Sequence, residues 1–193
     1  MKAGTAAAVW LLLAIAAGEM RLLAAVPAPM IQGTLLGLTT LLLVLYWRSA
    51  AILDWTLEVD LRFLVLFHVT RFIGIYFLYL HSHGRLPYAF AVPGGWGDIA
   101  VAGMALGVAA YPAPRIIYFW NILGLADILF VVATAARLVL HDPVSMSALT
   151  ELPLSLLPTF LVPLIIFTHV VIFSRVRAPL RPNGPFPTAP SAE

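Results

Sequence analysis

The chain has 193 residues, 62% of them hydrophobic and 10% charged, with a formal net charge of +2 and no cysteine. An ordinary soluble domain carries roughly 25% charged residues to cover its exterior, so this composition excludes one and leaves hydrocarbon as the solvent for most of the chain. At about 20 residues per span the length holds six or seven transmembrane helices, and the missing cysteines remove disulfides, thiolate metal sites, iron–sulfur clusters and cysteine nucleophiles.

The spacing of apolar runs predicts an all-α polytopic transmembrane bundle with six spans, near residues 6–26, 33–47, 63–80, 96–111, 116–136 and 153–173, making one helical domain over 1–174. Glu19 and Arg21 interrupt the first run. Its competing reading is a cleaved signal sequence, with Lys2 as the basic region and Ala24-Ala25-Val26-Pro27-Ala28 as a cleavage-like stretch. Pro27, Pro29 and Gly33 predict a turn before the second span, which ends at Arg48. Between Ser49 and Arg62, Asp54, Glu58 and Asp60 alternate with Ile52, Trp55 and Leu57, a pattern for an interfacial helix or surface loop.

The third span carries His68 and Arg71 and ends at His81-Ser82-His83-Gly84-Arg85. From Leu86 to Asp98, Pro87, Pro93 and three glycines predict an interfacial or re-entrant hairpin, so that the fourth span begins only near Trp96. The fifth span holds Asn121, Gly124 and Asp127 in one slanted stripe. The sixth is punctuated by Pro153, Pro158 and Pro163, which predicts a kink. Residues 175–193, with Arg175, Arg177, Arg181 and five prolines, read as a disordered basic cytoplasmic tail.

Six spans with both termini cytoplasmic place Lys2, Arg48, Arg62, Arg115, Arg175, Arg177 and Arg181 inside, and only Arg85 and Arg137 outside. That bias fits the preference of short cytoplasmic loops for Lys and Arg. The positive charge therefore reports topology and carries no nucleic-acid inference.

Ionisable side chains inside a bilayer cost at least ~2.5–3.5 kcal/mol each and so seek partners on other helices. At 1.5 Å per residue, Glu19, Arg71 and Asp127 fall near one plane, with Arg21 two residues further out. These four, joined by Asn121, predict a charge-balanced midplane network. Such a network either fixes helix positions, or binds an anionic or polar ligand, or relays protons. His68 and His169 are expected at matching depths on separate helices, the minimum arrangement for a b-type haem or for two ligands of a metal. His81-Ser82-His83 and His141-Asp142 offer a surface metal set at the outer edge, against a plain reading as loop residues in water. Gly94, Gly95, Trp96, Gly97 and Asp98 read as an outer-mouth turn, with Trp96 as interfacial anchor and Asp98 as helix cap.

Arg71-Phe72-Ile73-Gly74, Leu86-Pro87, Phe90 to Asp98, Trp120 to Asp127 and Leu157-Pro158-Thr159-Phe160 together resemble a family of uncharacterised bacterial multi-pass membrane proteins, over roughly residues 60–170. The resemblance implies a bacterial inner membrane and supplies no activity or catalytic residues.

No lysine lies in a span, which excludes a retinal Schiff base, and no phosphate-binding Gly-rich loop, His-Glu-x-x-His or Gly-x-Ser-x-Gly motif is present. Three function classes follow. The first is binding or translocation of a small molecule or ion at the midplane polar site. The second is electron transfer through a haem held by His68 and His169. The third is a non-catalytic subunit of a membrane complex or a homo-oligomer.

Overall fold

Eight α-helices carry residues 3–177, the part of the chain described by the computed structural model, and no strand occurs among them. They are α1 (Ala3–Glu19), α2 (Ala28–Arg48), α3 (Ala50–Glu58), α4 (Leu61–Phe67), α5 (Ile73–Ser82), α6 (Tyr88–Ala110), α7 (Pro114–His141) and α8 (Val162–Arg177). Lys2, Arg181 and the rest of the expected tail beyond Arg177 lie outside the described residues. A tight 3₁₀ turn, His68–Phe72, joins α4 to α5, and a wide π-type turn, Leu157–Leu161, extends α8 backwards.

Five helical runs are long and apolar enough to cross a membrane: Ala28–Arg48, Leu61–Ser82, Tyr88–Ala110, Pro114–His141 and Leu157–Arg177. The first apolar run is shorter than expected. Its helix stops at Glu19, Arg21 turns into the left-handed region (φ 51°), and Leu22–Ala25 forms a separate 3₁₀ turn. The two charges that interrupt the run end it, because continuing the helix would carry both into hydrocarbon.

Most of the other boundaries move outward, although the last run starts at Leu157, four residues later than expected. Pro27 and Pro29, expected as a turn, are the N-cap and first turn of α2, where a missing N–H costs nothing. Ser49 caps α3, accepting from the Ile52 amide at 3.4 Å, so the acidic stretch is a short helix. The larger correction concerns α6. Residues 88–110 are one continuous helix with Pro93 inside it, so the expected hairpin and outer-mouth turn do not exist. Small residues explain why: Ala91, Gly94, Gly95, Ala102, Ala105 and Ala109 are all buried, at the spacing that lets a helix lie closely against its neighbours.

Helix α6 packs most extensively on α5 and α7, while α8 is the most enclosed helix and touches α2, α4 and α7. Elsewhere large apolar side chains stand on the exterior, among them Leu12, Leu36, Ile75, Trp96 and Phe119. An apolar exterior around a buried central helix suits contact with a lipid bilayer.

Alternating helix directions gather Arg48, Arg62, Arg115, Arg175 and Arg177 at one end, here the basic end. There Arg175 donates to the carbonyls of Thr56 and Val59. At the other end Arg21 and Arg85 both pair with Glu151, at 3.3 and 2.7 Å.

The prolines of the last run have specific partners. Pro163 offers no N–H to the Thr159 carbonyl one turn earlier, and the Trp10 indole Nε1 donates to that carbonyl at 2.9 Å. The Trp10 ring also packs edge-on against Phe160, with centroids 4.9 Å apart. Helix α1 is thus held on the irregular part of the last run.

Two helix backbones come into direct contact where Gly74 of α5 meets Gly95 of α6. A Cβ at Gly74 would collide with the Gly95 carbonyl and with the Asp98 side chain, whereas one at Gly103 meets nothing within 4 Å. Gly74→Ala is therefore expected to lower stability by about 1–3 kcal/mol, and Gly103→Ala to be neutral or stabilising by up to ~1 kcal/mol. Denaturation in detergent micelles reads both.

Candidate functional site

The five long helical runs bring most of their buried polar side chains to one level. Arg71 stands ten residues from Leu61 and eleven from Ser82, Asp98 ten from Tyr88 and twelve from Ala110, and Asp127 thirteen from Pro114 and fourteen from His141. Apolar clusters flank this level on both sides. One contains Phe77, Phe90, Ile128 and Ile165, and the other Leu64, Val101, Trp120 and Val171.

His68 and Arg71 lie on the 3₁₀ turn between α4 and α5. Residues i and i+3 eclipse one another in a 3₁₀ helix, so both side chains share one inward face, and both are buried. The Arg71 guanidinium spends all three nitrogens. Nε donates to Asp98 Oδ1 at 2.6 Å, Nη1 to the Gly124 carbonyl at 2.9 Å, and Nη2 to Asp127 Oδ2. Side-chain exposure is 1% for Arg71, 4% for Asp98 and 17% for Asp127. Asp127 is thus the member that reaches toward the outside of the bundle.

Glycines make the space for these groups. A Cβ at Gly97 would occupy the position of the Asp127 carboxylate, and one at Gly124 would come within 2.7 Å of the His169 ring. The glycines expected to shape a turn instead leave room for side chains from neighbouring helices. Trp96, between them, is 61% exposed on the opposite side of α6.

The two histidines meet. Their ring centroids are 4.2 Å apart at a tilt of 47°, both residues are fully buried, and Trp120 packs edge-on against His68 at 5.0 Å. His169 Nδ1 lies 2.7 Å from Asn121 Oδ1, and Asn121 Nδ2 donates to the His169 carbonyl at 3.0 Å. His68 Nε2 lies 3.2 Å from the Thr168 hydroxyl. His68 Nδ1 and His169 Nε2 are buried with no partner.

A haem with two axial histidines needs its macrocycle between the rings. These rings pack against each other and leave no gap, so the pair does not fit a haem. Among the described residues no group of three or more His, Asp or Glu side chains is placed to hold a metal ion. At the surface, His81 Nδ1 pairs with the Leu86 carbonyl in the connection to α6, and His83 Nδ1 with that of Tyr79 in α5.

The expected network changes in membership. Arg71, Asn121 and Asp127 are brought together with His68 and His169. Glu19 and Arg21 are not: both are exposed at the end of α1, where Arg21 pairs with Glu151. They leave the midplane because α1 ends before it can carry them inward. Asp98 takes the place given to Glu19. The signal for Asp98 was the Ala and Gly spacing of 91–109, which runs through the supposed turn without a break.

The model of a family described as a domain of unknown function (DUF8737) matches residues 28–177, which take in every residue of this cluster. Nothing among curated proteins and nothing among solved structures matches the chain.

Removing one partner of a buried ion pair leaves an uncompensated charge. Arg71→Met is expected to cost about 3–5 kcal/mol on that basis. The triple variant Arg71→Met, Asp98→Asn, Asp127→Asn should recover much of the loss, since it buries no ion. Chemical denaturation of both in lipid–detergent micelles tests this ordering.

Proposed function

The chain belongs to that family of unknown function, and we propose that it is an integral membrane protein whose midplane cluster binds a proton or small monovalent cation and passes it across the bilayer. The observation that carries this reading is the charge count. One guanidinium, Arg71, faces two carboxylates, Asp98 and Asp127, beside two histidines. With both carboxylates ionised and both imidazoles neutral the cluster bears one excess negative charge. In a low-dielectric interior that charge calls for a single positive guest.

An anionic ligand is the poorer fit, because the carboxylates already outnumber Arg71 and each of its nitrogens already donates to a protein acceptor. Asp127, the most exposed member, is the natural point of entry. The arginines of the basic end, with the Lys and Arg bias of the sequence, support cytoplasmic termini, and the sequence resemblance supports a bacterial inner membrane.

Flux through proteoliposomes tests the proposal. Vesicles holding the full chain should dissipate an imposed pH or sodium gradient faster than protein-free vesicles, and Asp127→Asn should remove that excess rate while leaving the unfolding midpoint nearly unchanged. A wild-type rate equal to that of protein-free vesicles under both gradients would overturn it, and would favour a structural network within a larger complex.

Orientation has its own test, made simple by the absence of native cysteine. With both termini cytoplasmic, a membrane-impermeant maleimide applied to intact cells should label Ser82→Cys and spare Ser174→Cys.

A further inference from the structure

We infer that the packed rings of His68 and His169 form a second residence for a single proton, taken up at one of two bare ring nitrogens; this rests on reading the polar cluster as a cation site. The argument begins with the hydrogens. Asn121 Nδ2 donates to the His169 carbonyl at 3.0 Å, which leaves Oδ1 as the acceptor facing the ring. His169 Nδ1 therefore carries the ring hydrogen. The Thr168 hydroxyl donates its one hydrogen to the Ile165 carbonyl at 2.9 Å, so toward His68 its oxygen accepts, and His68 Nε2 carries that ring's hydrogen.

Each neutral ring has one hydrogen to give, and both are spent. The remaining nitrogens, His68 Nδ1 and His169 Nε2, are lone-pair acceptors, and they are the two ring atoms that lack any partner. Two orphaned acceptors on packed, fully buried rings form an uncommon arrangement, since each unmet acceptor in a dry interior costs about 1–3 kcal/mol. One proton removes one of these two unmet acceptors. It turns one acceptor into a donor, and unlike a metal or a water it needs no additional space between rings 4.2 Å apart.

The charged groups around the pair are Arg71, which shares the 3₁₀ turn with His68, and Asp98 and Asp127 beyond it. Asn121, Thr168, Trp120 and Gly124 line the rest and bring no charge. In the transfer, the O–H bond of one protonated carboxyl, on Asp98 or Asp127, breaks and an N–H bond forms at one bare ring nitrogen. The carboxylate returns to full pairing with Arg71, the imidazolium carries the positive charge, and the cluster stays neutral. His68 stands seven residues from Leu61 and His169 eight from Arg177, so this station lies on the basic-end side of the carboxylates.

Nitrogen-15 NMR on the full chain, histidine-labelled and held in lipid bilayers, reads this directly. In alkaline buffer His68 should show the Nε2–H tautomer and His169 the Nδ1–H tautomer, each with one imine-type nitrogen. On acidification one of the two imine signals should be lost while the other persists, for one proton taken up per chain. His68→Gln and His169→Gln assign the signals, and carbon–nitrogen correlation to labelled neighbours serves if either variant misfolds. The opposite tautomer at either ring, or imine signals unchanged wherever the chain stays folded, would overturn the inference. Flux that still depended on Asp127 would then leave the carboxylate site standing. Signals that convert as expected, with flux indifferent to Asp127→Asn, would remove the carboxylate route and keep the imidazole pair.

Discussion

A guanidinium cannot be left unpaired in the middle of a nonpolar bundle, and Arg71 is buried to 1% exposure. Meeting that demand requires acceptors in three directions from at least two other helices, all delivered at one depth. The chain answers with Asp98 from α6, and with Asp127 and the Gly124 carbonyl from α7. Much of the architecture follows. The α5–α6 contact must be close enough for Asp98 to reach Arg71, which is why backbone meets backbone at Gly74 and Gly95. Asp127 must pass over α6, which is why position 97 has no side chain.

The same demand explains the local irregularity in the third run. An uninterrupted α-helix offsets residues i and i+3 by about 60° in rotation, since each residue turns about 100°. The tighter 3₁₀ turn brings His68 and Arg71 onto one line. A charged cluster and an imidazole pair thereby become parts of a single polar layer, insulated above and below by apolar clusters. A layer of that form is enclosed by apolar side chains on both sides and exposed chiefly at Asp127.

The helical class, the positions of most long apolar helices and the meeting of Arg71 with Asp127 were legible in the sequence, because hydropathy and rise per residue act along one helix at a time. What the sequence hid was rotation and contact between helices. Asp98 looked like a cap because Pro93 and three glycines look like a turn when each is weighed for backbone freedom. In a membrane helix the same residues act by their small size, and the Ala and Gly spacing from 91 to 109 was the better guide. Glu19 and Arg21 were placed at depth by counting along a run that the charges themselves cut short. For His68 and His169, depth alone could not tell a gap for a macrocycle from rings in contact, since that depends on the tilt of two helices and on the space above Gly124.

The bond from the Trp10 indole to the Thr159 carbonyl joins residues 149 positions apart. During synthesis Trp10 is made 149 residues before its acceptor, so the indole N–H goes without this partner until the last run arrives. That run in turn enters with a carbonyl that its own proline has left exposed. Closing this contact joins two segments far apart in the order of synthesis, so a chain truncated before residue 159 cannot complete it and leaves α1 without its hydrogen bond to the last run.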